Sequence, residues 1–241
     1  MSFHVPIQDA QAAYSEYTFV KALSPSQQKA AFHVTDADGN DLCLKIISPN
    51  TNMDRLAREI FAMQAIKHPN IAALKEYTFS AGHQHQRHYI VEEFVSGDDL
   101  TRFLAQTPWP LKQASSVFSG ICDGLEALAE QAIVHRDLKP SNIRIRHDGS
   151  PVIIDFGLAR ILSMADLTNT SDGAGIGTPL YFSPEQFLGT KHDIDHRTDL
   201  FPVGVMLYEA LVYLFSGLTG SRSRLIRLGL PFPPAIVNRF R

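Results

Sequence analysis

Asp137, Lys139 and Asn142 lie within six residues of one another, in the stretch IVHRDLKPSNIRIR from Ile133 to Arg146. A carboxylate, an ammonium and a carboxamide on one short loop can take a proton, meet a phosphate and hold a hard cation. A further acid follows in Asp155-Phe156-Gly157. The gap between the two motifs is the length of a strand, a turn and a strand. The two loops should therefore lie side by side, with Asp137, Asn142 and Asp155 converging. Taken singly, Asp and Asn are common turn formers, and it is their joint occurrence that points to chemistry. The strand after the first loop poses a question. Ile143 and Ile145 fall on one face and Arg144 and Arg146 on the other, because strand side chains alternate, and the arginines have no evident part in that chemistry.

The elements that must position these groups can be read from periodicity. Tyr17 to Leu23 and Ala31 to Val34 alternate as strands, and Asp38-Gly39-Asn40 is a turn before a strand LCLKII. Met53 to Lys67 carries Leu56, Ile60, Met63 and Ile66 at helical spacing, with Pro69 beyond its end. YIVEEFV, residues 89–95, reads as a buried strand, and Ser96-Gly97-Asp98-Asp99 breaks it. Leu111 to Gln131 predicts a helix with Val117, Ile121, Leu125 and Leu128 on its apolar face. Short strands are expected around Ile145 and Val152–Ile154, then a long polar loop from about Leu162 to Gly177, then helices. A β-rich lobe, a link near Glu93–Gly97 and a larger helical lobe would leave a cleft between them, a common place for a ligand.

Composition sets outer limits. The 241 residues are 44% hydrophobic, enough for a large core, and the formal charge of −3 offers no field for nucleic acid or a membrane surface. Two cysteines, Cys43 and Cys122, make a disulfide framework improbable and a reducing, cytoplasmic setting the simpler expectation. The N-terminal segment does not read as a signal peptide. The longest apolar run, Leu200 to Phe215, holds Pro202 and Glu209 and reads as a core helix rather than a membrane span.

With further residues in place, the sequence resembles the eukaryotic-type Ser/Thr protein kinases, in particular their bacterial members. The matching positions are Leu42-Cys43-Leu44-Lys45, Glu59 with His68-Pro69-Asn70-Ile71 after it, His135 to Asn142, Asp155-Phe156-Gly157, Gly177-Thr178-Pro179 through Ser183-Pro184-Glu185, and Asp199 with Gly204. The resemblance implies an α+β, bilobal fold in one domain, residues 1–241. Its β-rich N-lobe has one main helix (about 14–93), its hinge covers about 93–97, and its C-lobe, about 98–241, is mostly helical and shortened at its end. It implies ATP and Mg²⁺ as cofactors and a protein Ser/Thr hydroxyl as acceptor. Asp137 would receive the hydroxyl proton, Lys139 would stabilise the transferring group, and Lys45 would grip phosphates while Glu59 holds it. Asn142 and Asp155 would bind metal. Nucleotide-binding positions would be Lys45, Ala31, Cys43, Glu93, Val95, Arg144 and Ile154. Met63, Leu74, His135 and Phe156 would form a packed column braced by Asp199. Arg136 would receive a phosphate placed on Thr168, Thr170 or Ser171.

Three departures from the family stand out. The glycine-rich loop is missing: Ser24, Ser26 and Lys29 stand where glycines are expected, and Pro25 has no N–H. Lys29 offers compensating charge; a plain hairpin turn is the other reading. Arg144 stands where the family has an apolar residue under the purine, and Glu92 lines the back of that pocket. Arg144 is expected to face the cleft, either stacking on the purine or pairing with Glu92 to plug an empty slot, and Arg146 to point outward. The segment after Glu209 carries Arg222, Arg224, Arg227, Arg239 and Arg241 and no acid, which reads as a solvated end or a docking patch for an acidic partner. Glu185 is expected to lack the arginine that the family usually gives it. His83, His85 and His88 read as a solvated hairpin rather than a metal site. The main reading is a Ser/Thr protein kinase that autophosphorylates. The alternative is a kinase-fold scaffold with weak or no nucleotide binding. A small-molecule kinase is disfavoured by Gly177-Thr178 and Ser183-Pro184-Glu185.

Overall fold

Alternation in three consecutive strands gives one sheet two faces of different character. The computed structural model describes residues 3–23, 29–51, 53–78, 88–106, 109–155, 160–161, 179–190 and 193–216. After helix α1 (Ile7–Ala13) come β1 (Thr18–Ala22), β2 (Lys29–Thr35), β3 (Asp41–Ile47), helix α2 (Met53–Ala65), β4 (Leu74–Thr78) and β5 (Tyr89–Glu93). The strands form an antiparallel sheet in the order β1-β2-β3-β5-β4. Phe32 lies opposite Leu44, and Leu44 opposite Val91. That face is covered by Val5, Ala10, Tyr14 and Tyr17 of the N-terminal segment. On the other face Ala31 lies opposite Lys45, and Cys43 opposite Glu92. There Ile47 and Ile90 pack on Leu56 and Ile60 of α2. The turn between β2 and β3 is tied by Asp36, which accepts from the backbone of Asp38 and Asn40, and Gly39 takes φ 80°.

Helix α1 and strand β4 went unread in the sequence. Among the seven residues of α1 only Ala10 is buried, so there is no apolar stripe to see. β4 is an edge strand, LKEYT, with its central three residues exposed, so it shows no alternation.

The larger lobe begins after the link with β6 (Asp98–Asp99) and continues through α3 (Leu100–Gln106), α4 (Leu111–Glu130), β7 (Ile133–Val134), β8 (Ile143–Ile145), β9 (Pro151–Ile153) and β10 (Arg160–Ile161) to α5 (Pro184–Leu188) and α6 (Leu200–Ser216). The bilobal α+β expectation is met: a five-stranded sheet on one side of the link, mostly helix on the other. α4 buries the expected Val117, Ile121, Leu125 and Leu128 in a core shared with Val203, Met206 and Ala210 of α6. Gly120 lets this helix approach the β8–β9 hairpin closely, since a Cβ there would sit 2.8 Å from the Pro151 ring. The hairpin that carries the site is thus seated directly on the buried helix. At the link, Gly97 takes φ 107°, and a Cβ would meet the Ile145 carbonyl oxygen at 2.0 Å. No helix among the described residues is long and apolar enough to cross a membrane.

Candidate active site

β3 delivers Lys45 to the cleft side of the sheet, and the neighbouring strand supplies its partner. Glu92 on β5 lies opposite Cys43, diagonal to Lys45 on the same face, within reach of a long side chain. Lys45 Nζ is 2.8 Å from both Glu92 Oε1 and Oε2, with Lys45 7% and Glu92 2% exposed. Helix α2 includes Glu59, the expected partner, but that side chain lies outside the described residues. The Glu92–Arg144 pair, one of the two arrangements the sequence allowed, is not formed. Glu92 directs both oxygens to Lys45, because a buried carboxylate is held by the nearest buried cation.

Asp155 comes to the same place from the other lobe. Its Oδ1 is 3.8 Å from Lys45 Nζ and 3.6 Å from Lys29 Nζ. Burial alone would lower the affinity of Lys45 for its proton, but Glu92 and then Asp155 outweigh it and hold the ammonium above the ordinary lysine range. Enclosure alone would raise Asp155, but Lys45 and Lys29 hold its carboxyl below the ordinary carboxylate range. Cys43, beside them, is pushed up to about 12, chiefly by burial, so it is no nucleophile here. The Asp155 backbone takes φ 63°, a left-handed conformation that Asp tolerates better than most residues.

The other loop closes on itself through its own polar groups. Lys139 Nζ is 2.8 Å from Asp137 Oδ2, and Asn142 Nδ2 donates to the Asp137 carbonyl at 2.8 Å and to Oδ2 at 3.3 Å. With its amide nitrogen directed at Asp137, Asn142 has Oδ1 as the oxygen it can offer a cation. The two loops are adjacent as expected: Ile154 N donates to Asn142 O at 2.9 Å, and Ile143 pairs with Ile153. His135, fully buried, ties them together. Its Nδ1 accepts from the Asp137 amide and its Nε2 faces the Ile154 carbonyl, both at 3.3 Å. A ring protonated on Nε2 meets both partners at once.

Asp199, in the short turn just before α6, braces the loop. Its two oxygens accept from the backbone N–H of His135 and Arg136 at 2.7 and 2.9 Å. Burial raises its carboxyl above the ordinary range, with His135 the largest opposing influence. Leu74, half-buried, packs against the buried cluster that holds Met63, and Phe156, another member of the expected column, lies outside the described residues. Ser183 caps α5 through a reciprocal bond with Gln186, whose Nε2 also donates to the Arg136 carbonyl at 2.7 Å. Glu185 receives a hydrogen bond from Thr198 Oγ1 at 2.7 Å. Gly177, Thr178, the three candidate phosphate acceptors Thr168, Thr170 and Ser171, the histidines His83 and His85, and the arginines from Arg222 onward also lie outside the described residues.

The question of the two arginines has a structural answer: both serve the link. Arg144 Nε donates to the Val95 carbonyl at 3.3 Å, and its Nη2 to the Gly97 carbonyl. Arg146 bonds to the Pro69 carbonyl at 2.9 Å and pairs with Glu93. The remaining cleft positions are Ala31 above and Val95 at the edge, the latter packed with Ala72 and Val152, with Ile154 against them. Of the expected site residues, Lys45 and Asp155 meet directly, and Asp137, Lys139 and Asn142 meet in the adjoining loop. Glu92, read from the sequence as lining the back of the pocket, and Lys29, read as a compensating charge, also join this centre, the first as the partner of Lys45 and the second beside Asp155. The signal for Lys29 was available: it stands two residues before Ala31, hence on the face of Lys45.

The donor set suits a magnesium-bound polyphosphate. Asp155 and the Asn142 amide offer hard oxygens, and Lys45 and Lys29 offer positive charge. At 3.6 and 3.8 Å, neither lysine holds Asp155 in a hydrogen bond. The carboxylate is therefore not locked against a cation.

Comparison with known proteins agrees with this geometry. Residues 29–220 match the family model described as protein kinase domain. The chain is 32% identical over 176 residues to the "Probable serine/threonine-protein kinase PknB" of Lactococcus lactis, covering 70% of this chain and 27% of that one. It is 35% identical over 182 residues to the serine/threonine-protein kinase Pkn1 of Myxococcus xanthus, covering 72% and 25%. To the serine/threonine-protein kinase PknB of Mycobacterium leprae it is 35% identical over 179 residues, covering 71% and 28%. The match spans only about a quarter of the length of these relatives.

Proposed function

The chain belongs to the protein kinase domain family, and on that premise we propose that it transfers the γ-phosphoryl group of ATP to a serine or threonine hydroxyl of a protein, its own chain included. One observation carries the reading. Lys45 and Asp155 come within 3.8 Å from opposite lobes, beside a loop that presents Asp137, Lys139 and Asn142 together.

In this mechanism the acceptor hydroxyl donates its proton to the Asp137 carboxylate as the oxygen attacks the γ-phosphorus. The bond from that phosphorus to the bridging oxygen of the β-phosphate breaks, and ADP leaves with the electron pair. Lys139, already held against Asp137, faces the transferring group and offsets its charge. Lys45 orients the phosphates from above, and Glu92 keeps its ammonium charged and in place. Magnesium, when bound, supplies charge neutralisation between the phosphates, and Asp155 and Asn142 are the residues that would hold it. Asp199 and His135 fix the backbone of the loop so that Asp137 need not reorganise during the reaction. The hinge at about 93–97, between lobes of about 14–93 and 98–241, gives the cleft its edge, and the cytoplasm is the proposed setting.

Calorimetric titration tests the binding half of this proposal. The chain should bind ATP in the presence of Mg²⁺, and Lys45→Met or Asp155→Asn should each weaken binding by about tenfold or more, the scale of one lost charge-assisted contact. An absence of ATP binding by the wild-type chain would remove the proposal.

A further inference from the structure

Arg136 stands immediately before Asp137 and takes φ 67°, in the left-handed region that a residue other than glycine adopts only where its surroundings impose it. Three side chains impose it here. Asp199 Oδ1 accepts from the Arg136 N–H at 2.9 Å. The next peptide group, which joins Arg136 to Asp137, is held at both ends. Its N–H, on Asp137, donates to His135 Nδ1 at 3.3 Å, and its oxygen, on Arg136, accepts from Gln186 Nε2 at 2.7 Å. The orientation of that peptide plane sets the direction in which the Asp137 side chain leaves the backbone.

Gln186 reaches the loop from α5, 50 positions along the chain, and is itself held. Its Oε1 accepts from the Ser183 N–H at 3.2 Å, while its own N–H donates to Ser183 Oγ at 3.4 Å, the reciprocal cap of a Ser-x-x-Gln helix start. Such a cap requires only an oxygen at this position, which glutamate supplies as well as glutamine. The side-chain nitrogen takes no part in it and meets instead the carbonyl beside the acid assigned to proton transfer. The same helix is tied a second time. Thr198 Oγ1 donates to Glu185 Oε1 at 2.7 Å, and Thr198 directly precedes Asp199, which carries the amides of His135 and Arg136. α5, the turn before α6 and the catalytic loop thus form one hydrogen-bonded frame around Arg136.

We propose that Gln186 is a positioning residue for phosphoryl transfer: by holding the Arg136 carbonyl it fixes the strained backbone before Asp137 and so aims that carboxylate at the acceptor hydroxyl. The proposal rests on the kinase reading above and adds a residue to it. Gln186 acts through the backbone of Asp137, so it bears on the step in which the proton moves. ATP binding, built on Lys45 and Asp155, does not pass through it. With the carbonyl released, the carboxylate has to reorganise during the reaction, and a small misplacement of a reacting group slows the step.

Steady-state transfer from γ-labelled ATP to casein by the full chain tests it, comparing wild type, Gln186→Glu and Gln186→Met, with hydrogen exchange at the Asp137 amide measured alongside. Gln186→Glu keeps the oxygen that caps α5 and removes the donor to the Arg136 carbonyl. It should melt close to the wild type, lower kcat about tenfold, the scale of one hydrogen bond lost from the transition state, leave KM for ATP unchanged, and speed exchange at Asp137. Gln186→Met removes both bonds and should show the same fall in kcat together with a lower melting temperature. Wild-type kcat in Gln186→Glu, with any loss confined to Gln186→Met and following its melting temperature, would leave Gln186 a helix cap and overturn the role. A rise in KM for ATP in step with the fall in kcat would overturn it as well, because a general loosening of the cleft produces that pattern. Either result leaves the kinase reading standing, since the wild type transfers phosphate in both. A folded wild type that transfers none overturns the two together.

Discussion

Glu92 holds Lys45 from within the same sheet: the ammonium lies 2.8 Å from both carboxylate oxygens, across the boundary between β3 and β5. The grip depends on strand register, which is rigid. Both side chains are nearly inaccessible, at 9% and 2%, so removing one partner strands a buried charge. Glu92→Leu is expected to destabilise the fold by about 3–5 kcal/mol. The companion variant Lys45→Met, Glu92→Leu should be less destabilised than the sum of its parts. Urea unfolding of the single and double variants measures the coupling, and strict additivity would contradict a direct pair.

Asp199 presents a different kind of buried acid. It accepts two backbone hydrogen bonds from the loop at His135 and Arg136. Asp199→Ala orphans two amides and should cost about 2–5 kcal/mol, whereas Asp199→Asn, which keeps one acceptor oxygen, should cost about 1–3 kcal/mol. The ordering of the two variants by thermal melting is the check; equal losses would mean that the carboxylate does not serve both amides.

The opposed shifts of Asp155 and Lys45 set a pH window. Asp155 is held below the ordinary range. The stability it contributes is thus present above its unfolded value, about 3.9, and is lost as pH falls from there toward the folded value. Lys45 is held above its ordinary range. Its contribution is therefore complete below its unfolded value, about 10.4, and is lost as pH rises through the folded one. The difference in melting temperature between wild type and Asp155→Asn should be constant through neutral pH and shrink below about pH 4. A difference unchanged down to about pH 3 would contradict the assignment.

Arg144 and Gly97 both shape the link. Arg144 donates to the carbonyls of Val95 and Gly97, and Gly97 lies too close to the Ile145 carbonyl to carry a side chain. Arg144→Leu should cost about 1–3 kcal/mol through orphaned carbonyls. Gly97→Ala should cost at least as much, through a strained φ and a backbone clash. Hydrogen exchange at residues 93–99 should rise in both variants; protection equal to wild type would show that the link does not rely on these contacts.

The parts of this site that were legible in the sequence are those set by local spacing. Asp137, Asn142 and Asp155 flank one hairpin, so counting residues was enough to place them together. Lys45 and Ala31 share a face because they sit on neighbouring strands joined by a recognisable turn. Glu92 was read as lining the back of the pocket with Arg144 as one candidate partner, whereas Lys45 takes both of its oxygens. The pairing of β3 with β5 joins directly opposed residues that are 43 positions apart at Ile46 and Tyr89 and 51 apart at Leu42 and Glu93, and no local pattern states such a register. Arg144 was read from its face alone, whereas its length lets the guanidinium reach back to carbonyls of the link. α1 and β4 escaped notice because one buries a single alanine and the other is a charged edge.

The most direct test is transfer of label from γ-labelled ATP by the purified chain with Mg²⁺, to itself and to a generic protein acceptor, alongside Asp137→Ala and Asp155→Ala. The account predicts label on serine or threonine in the wild type and a loss of roughly 10²–10⁴-fold in Asp137→Ala, with Asp155→Ala equally impaired. Label persisting at wild-type levels in either variant, or a folded wild type that transfers none, would contradict it.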